Sequence, residues 1–182
     1  MRILEIRRHT MRAKPGVHLS QAGIELARTV GKDLGKFDYV ACSDKERSAE
    51  TAVALGCAVN ETVSGLGTIS ETLAQQSGWP DSIDSIALRV EKNPDLYRFS
   101  DEQYRIWKAV LESCKTSQRT LIISHGAIME LGLLAATREM SIGQYGAVFG
   151  YCEGFRLAFE SDECVGYEPI RLPAQLQLIS NQ

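Results

Sequence analysis

Thr120-Leu121-Ile122-Ile123-Ser124-His125-Gly126-Ala127 decides the reading of this chain. The run from Thr120 to Ser124 is uncharged and reads as a short buried strand, which passes directly into a helix beginning near Gly126. Upstream, Ile3 to Ile6 forms a strand that a polar loop through Pro15 and Gly16 cannot continue. From Ser20 the period becomes helical, with Ile24, Leu26, Ala27, Val30 and Leu34 on one face, Ser20 as N-cap and Gly35 as the stop. A second unit follows: a strand over Tyr39 to Cys42, then a helix from Asp44 to Leu55 ended by Gly56.

The stretch from Asn60 to Pro80 is rich in Gly, Ser and Thr and reads as a loop or small excursion, not a core element. Helices are expected over Ser82 to Lys92 and Asp101 to Lys115, the second carrying Tyr104, Trp107, Val110 and Leu111 on one face. Gly150 to Phe159 and Val165 to Leu172, separated by Ser161-Asp162-Glu163, read as a β-hairpin. Strands alternating with helices predict an α/β three-layer sandwich: a mostly parallel central sheet, helices on both faces and an antiparallel C-terminal hairpin at one edge. No repeat or linker divides residues 1–182, so a single domain is expected.

With 182 residues, 44% hydrophobic and 24% charged, the composition is that of a globular protein with a sizeable core. The start alternates apolar and charged residues where a signal peptide needs a continuous apolar run, so a cytoplasmic protein is expected. Leu121 to Ala136, the richest apolar run, is too short and too polar to span a bilayer, and no membrane partner is expected. Five widely spaced cysteines suggest neither a disulfide framework nor a zinc knuckle, and three histidines call for no metal or other cofactor. A net charge of −3 argues against a nucleic-acid partner. Arg2, Arg7, Arg8, Arg12 and Lys14 nevertheless crowd the first fourteen residues, either as a solvated basic face or as a seat for a small anion.

In a sheet of this kind, ligands bind at the carboxyl ends of the strands. Polar residues fall there three times: Arg8-His9, Ser43 to Arg47, and Ser124-His125-Gly126. Together with His18-Leu19-Ser20-Gln21-Ala22-Gly23 and Ser43-Asp44-Lys45-Glu46-Arg47-Ser48-Ala49-Glu50-Thr51-Ala52, these segments resemble, over nearly the whole chain, the histidine phosphatase superfamily. That superfamily includes the cofactor-dependent phosphoglycerate mutases and many phosphatases.

The resemblance implies that His9 is the phosphoryl-accepting nucleophile, that Arg8 and Arg47 bind the phosphoryl oxygens and that His125 completes the pocket. An imidazole can do this near neutral pH, because its reference pKa of about 6.5 leaves a free lone pair. Guanidinium groups bind phosphate oxygens in pairs and neutralise developing charge. Ile69-Ser70-Glu71 followed by Gly78-Trp79 resembles the family segment that supplies the acid, with a longer spacer, and makes Glu71 the candidate acid/base. Thr10 stands where the family has glycine and is a candidate hydrogen-bond donor to phosphate; Gly126, which allows a close backbone turn after the second histidine, is a further candidate substrate-binding residue. Asp44 replaces the usual proline and adds negative charge not far from Arg47.

The expected activity is a metal-independent phosphomonoester hydrolase acting through phosphohistidine on a small phosphorylated substrate, with inorganic phosphate as product. A mutase returning the phosphoryl group to a second hydroxyl is the alternative, although no insertion that would close over a retained substrate is visible. A phosphate-binding regulatory module without turnover is the alternative from another class.

Overall fold

Alternating strands and helices assemble into one six-stranded sheet covered on both faces, as the sequence predicts. The computed structural model describes residues 1–114 and 118–177. In chain order the elements are β1 (Arg2–Arg8), α1 (Gln21–Gly31), β2 (Tyr39–Cys42), α2 (Glu46–Ala54), β3 (Glu61–Thr62), α3 (Glu71–Ser77), α4 (Ile83–Lys92), α5 (Pro94–Ser113), β4 (Arg119–Ser124), α6 (Ile128–Ala136), β5 (Gly154–Glu160) and β6 (Glu163–Ile170). The sheet order is β3-β2-β4-β1-β5-β6. β1, β2, β3 and β4 pair in parallel, whereas β5 runs antiparallel to β1 and β6 antiparallel to β5.

β4 lies between β1 and β2, which explains its unbroken apolar run. Ile122 joins Leu4, Ile6 and Ala41 on the face covered by α4, α5 and α6, where Ile86, Trp107 and Met129 pack. Leu121 and Ile123 join Val40 and Cys42 on the other face, against Leu26 and Ala27 of α1, Ala52 of α2 and Leu55 at the C-cap of α2. Each large aliphatic side chain fully buried in this way contributes about 1.5–3 kcal/mol of transfer free energy.

Three expectations are adjusted. α1 ends at Gly31, four residues before Gly35, whose φ of +70° belongs to the following turn. α5 begins at Pro94, well before Asp101, because the Asn93 side chain accepts from the amides of Asp95 (3.0 Å) and Leu96 (3.3 Å) and proline suits the first helical position; the expected end at Lys115 lies outside the described residues. The segment from Asn60 to Pro80 is also more than an excursion: β3 adds a strand to the sheet, α3 starts on the Ser70 cap, and Leu66 is fully buried.

The N-terminal cations divide between two tasks. Glu5 is completely buried and accepts from Arg7 Nε (2.6 Å) and Arg156 Nε (2.8 Å), so Arg7 is spent inside the fold. Arg2 pairs with Asp162 across the sheet end. Among the described residues no helix is long and apolar enough to cross a membrane.

Candidate active site

Strand register brings the two histidines together. Arg8 pairs with Ser124 and Cys42 with Ile123, so the next residues, His9, His125 and Ser43, emerge at one edge. The His9 amide donates to the Ser124 carbonyl (2.9 Å) and the Ser43 amide to the Ile123 carbonyl (3.1 Å), carrying the ladder one step beyond the strands. After His125 the chain turns within two residues. Ala127 takes a φ of +68°, a conformation that costs about 1–3 kcal/mol and that the surrounding packing must offset.

The hydrogen bonds determine where the protons sit. His9 Nδ1 lies 2.6 Å from the Thr10 carbonyl oxygen, which can only accept, so Nδ1 carries the hydrogen and Nε2 the lone pair. Arg47 Nε donates to that Nε2 at 3.2 Å. His125 has the opposite tautomer: Arg47 Nη2 donates to Nδ1 (3.1 Å), and Nε2 donates to Ser43 Oγ (2.7 Å), which itself donates to Ser48 Oγ (2.8 Å). The two rings stand 4.8 Å apart between centroids.

Burial, followed by the neighbouring Arg47 and Arg8 charges, holds the His9 pKa down at about 3. Burial and then the His9 and Arg47 charges hold His125 at about 2. Both rings are therefore neutral in the native protein at pH 5, whereas in the unfolded chain each takes up a proton below about pH 6.5. Stability must then decline as pH falls from 6.5, by about 1 kcal/mol per pH unit between pH 6 and 5 for each histidine. Glu130, whose pKa burial raises, acts with the opposite sign. Because Glu130 is common to both proteins, comparing wild type with His9→Ala isolates the His9 contribution. Urea unfolding at pH 6 and pH 5 should show a loss smaller by about 1 kcal/mol in His9→Ala; identical losses would mean that His9 is protonated in the native state.

Two guanidinium groups flank the rings. Arg8 lies between the Trp79 ring (4.9 Å to its centroid) and the Tyr151 ring (4.5 Å), and its Nη1 donates to the Phe149 carbonyl (3.1 Å). Desolvation lowers its pKa, opposed by Tyr151, Glu130 and Glu153. Glu130 is completely buried on α6 and accepts from the Phe149 amide (3.0 Å), tying the 148–151 loop to the helix that follows His125. Above these groups opens a cavity of about 520 Å³ lined by Arg8, His9, Arg12, Lys14, Arg47, Trp79 and the 148–151 loop. No carboxylate is among its described lining residues. Among the described residues no group of three or more His, Cys, Asp or Glu is placed to hold a metal ion, and all five cysteines are free.

Arg8, His9, Arg47 and His125 are thus brought together, while three other expected residues stand elsewhere. Thr10 is fully buried and its hydroxyl donates to the Gly23 carbonyl (3.1 Å), so it anchors α1 and is turned away from the cavity. Nor does it need glycine's freedom, since it is absent from the positive-φ residues. Gly126 makes room for a neighbour: a Cβ there would lie 2.5 Å from the Trp79 ring.

Glu71 opens α3 on the exposed surface, where it accepts from Gln75 (3.3 Å), and it does not line the cavity. Of the segment that suggested it, only Trp79 arrives at the site. Glu71→Gln is accordingly expected to hydrolyse alkyl and aryl phosphates within about twofold of wild type, and a large selective loss on the alkyl ester would return Glu71 to the chemistry. Sequence reasoning missed Ser43 and Ser48 as partners of His125, although both lie within the quoted helix-start motif. It also missed Tyr151, which carries no local signal.

The family model of the histidine phosphatase superfamily (branch 1) matches residues 5–165, a span that contains every residue just described around His9. The chain belongs to the histidine phosphatase superfamily. No curated protein matches its sequence. Solved structures with this superfamily member's fold include a phosphoserine phosphatase from Entamoeba histolytica in complex with 3-phosphoglyceric acid, with a TM-score of 0.67 at 16% identity, covering 97% of this chain and 100% of that one. A phosphoglycerate mutase from Bacillus anthracis strain Sterne gives 0.60 at 18% identity, with 94% and 92% covered. A mycobacterial glucosyl-3-phosphoglycerate phosphatase complexed with VO3 gives 0.58 at 16% identity, with 93% and 97% covered. At such identities the likeness concerns the fold.

Proposed function

We propose that this histidine phosphatase superfamily member is a metal-independent phosphomonoester hydrolase that acts through a phosphohistidine at His9 on a small phosphorylated substrate. The observation that carries the reading is the tautomer of His9. Its Nδ1 hydrogen is committed to the Thr10 carbonyl, which leaves the Nε2 lone pair free for chemistry beside Arg47 Nε, on a ring that lines the cavity together with Arg8 and Arg47.

In the first step Nε2 attacks phosphorus as the ester P–O bond breaks, and the leaving oxygen takes a proton from solvent water, no carboxylate being among the described lining residues, to depart as the alcohol. The ring becomes an N-phosphorylated cation, which the Nδ1–H bond to Thr10 helps to stabilise. Arg8 and Arg47 neutralise the transferring oxygens, which is most of what phosphoryl transfer asks of a protein. In the second step water attacks phosphorus as the N–P bond breaks, the bonding pair returns to Nε2 and the water's proton passes to solvent, releasing inorganic phosphate.

Acid- and alkali-quenched reactions with a radiolabelled aryl phosphate test the reading. A label on the protein that survives alkali and is lost in acid, together with steady release of inorganic phosphate unaffected by EDTA, is the expected result. Transfer of label to an added alcohol without phosphate release would mark a mutase. Tight phosphate or vanadate binding without hydrolysis of any ester in a broad panel would mark a binding module.

A further inference from the structure

The cavity over His9 carries more positive charge than one phosphoryl group uses. Arg8 and Arg47 stand beside the histidines, and Arg12 and Lys14 line the same cavity from the loop after His9. That loop is held as a small antiparallel arm, with Arg12 bridged to Leu19 and the Ala13 amide donating to the His18 carbonyl at 2.9 Å. From this arm Arg12, half-buried, and Lys14, exposed at its tip, both line the cavity, whereas Ala13 between them does not.

The Arg12 guanidinium is seated by the carbonyls of Gly16 (2.7 Å) and Pro15 (3.4 Å), both through Nη1. Its charge bears on both His9 and Arg47. Among the described residues no carboxylate lies within ion-pair distance of Arg12 or Lys14, whereas Arg7, Arg89 and Arg138 each have one and Arg156 has two. Nearby acids bear on the inner pair instead, Glu130 and Glu153 on Arg8 and Glu46 on Arg47.

We infer that the substrate carries a second anionic group, a carboxylate or another phosphate, which Arg12 and Lys14 hold while the phosphoryl group sits between Arg8 and Arg47. The inference rests on the phosphatase reading of the site and narrows its substrate class. Four cations facing a phosphate dianion leave a surplus that a second anion neutralises, and charge-assisted hydrogen bonds are strong enough to select for it.

Calorimetric titration of the full chain with three non-hydrolysable phosphonates tests it by binding alone: butylphosphonate, 4-phosphonobutanoate and propane-1,3-diylbisphosphonate. At least one of the two doubly anionic ligands should bind about tenfold more tightly than butylphosphonate or better; which one does so identifies the second group. In Arg12→Gln/Lys14→Gln that preference should shrink to about threefold or less, with the doubly anionic ligand weakened more than butylphosphonate and circular dichroism unchanged. Equal affinities in the wild type, a preference that survives the double substitution, proportional weakening of all three ligands or no binding at all would each overturn the inference. Failure of the phosphatase reading would look different: the binding preference would stand, but no phosphate ester would be hydrolysed.

Discussion

His9→Ala is expected to lower kcat by at least about 10⁴-fold on every phosphate ester that the wild type hydrolyses, because the variant has no lone pair to accept the phosphoryl group. The proposed mechanism leaves phosphate binding to the arginines, which remain, so inorganic phosphate affinity should change far less than turnover. Stopped-assay rates and a phosphate titration on the same preparation separate the two effects. Folding should persist, since the His9 backbone is held by the Ser124 carbonyl whatever the side chain. Turnover within tenfold of wild type would remove His9 from the chemistry and leave His125, the other imidazole of the pair, as the group to examine.

How much of this was legible in the sequence depends on how local the signal is. TLIIS reads as a strand buried on both faces because the apolar run itself is the evidence, and the structure places it at the centre of the sheet. The hairpin was legible from the polar turn between two extended stretches, although β6 begins at Glu163, a residue that reads as part of that turn. β3, with two residues, and α3, with seven, are too short to show a period, so their segment reads as loop.

The site follows the same rule. Arg8 ends a strand, His9 and His125 follow strand ends and Arg47 lies in the first turn of a helix, positions that topology alone gathers. Glu71 sits at a plausible spacing, but spacing does not say which way a side chain points on the first turn of a helix. Tyr151 and Glu130 reach Arg8 only through the fold, from segments more than a hundred residues away in the chain. The Thr10 hydroxyl illustrates the opposite case: it stands beside His9 in sequence, yet its partner is Gly23.

Arg47→Ala is expected to cost about 10³-fold in kcat/KM, within the range found when a guanidinium that stabilises phosphoryl transfer is removed. The reason is its position between the two rings, where Nε donates to His9 Nε2 and Nη2 to His125 Nδ1. In the proposed mechanism those donors turn to the phosphate oxygens, so that one side chain which holds the two rings in register also neutralises the transferring group. Arg47→Lys should recover only part of the loss, because a single ammonium restores the charge but not the planar fork that reaches both histidines. Aryl and alkyl phosphates should suffer alike, since the arginine acts on the phosphoryl group whatever leaves. Rates for both variants on both esters check this. A loss of less than about fivefold in Arg47→Ala, or a loss confined to alkyl esters, would assign Arg47 to the leaving group or to the scaffold, and Arg8, held between Trp79 and Tyr151, would then be the main support of the transition state.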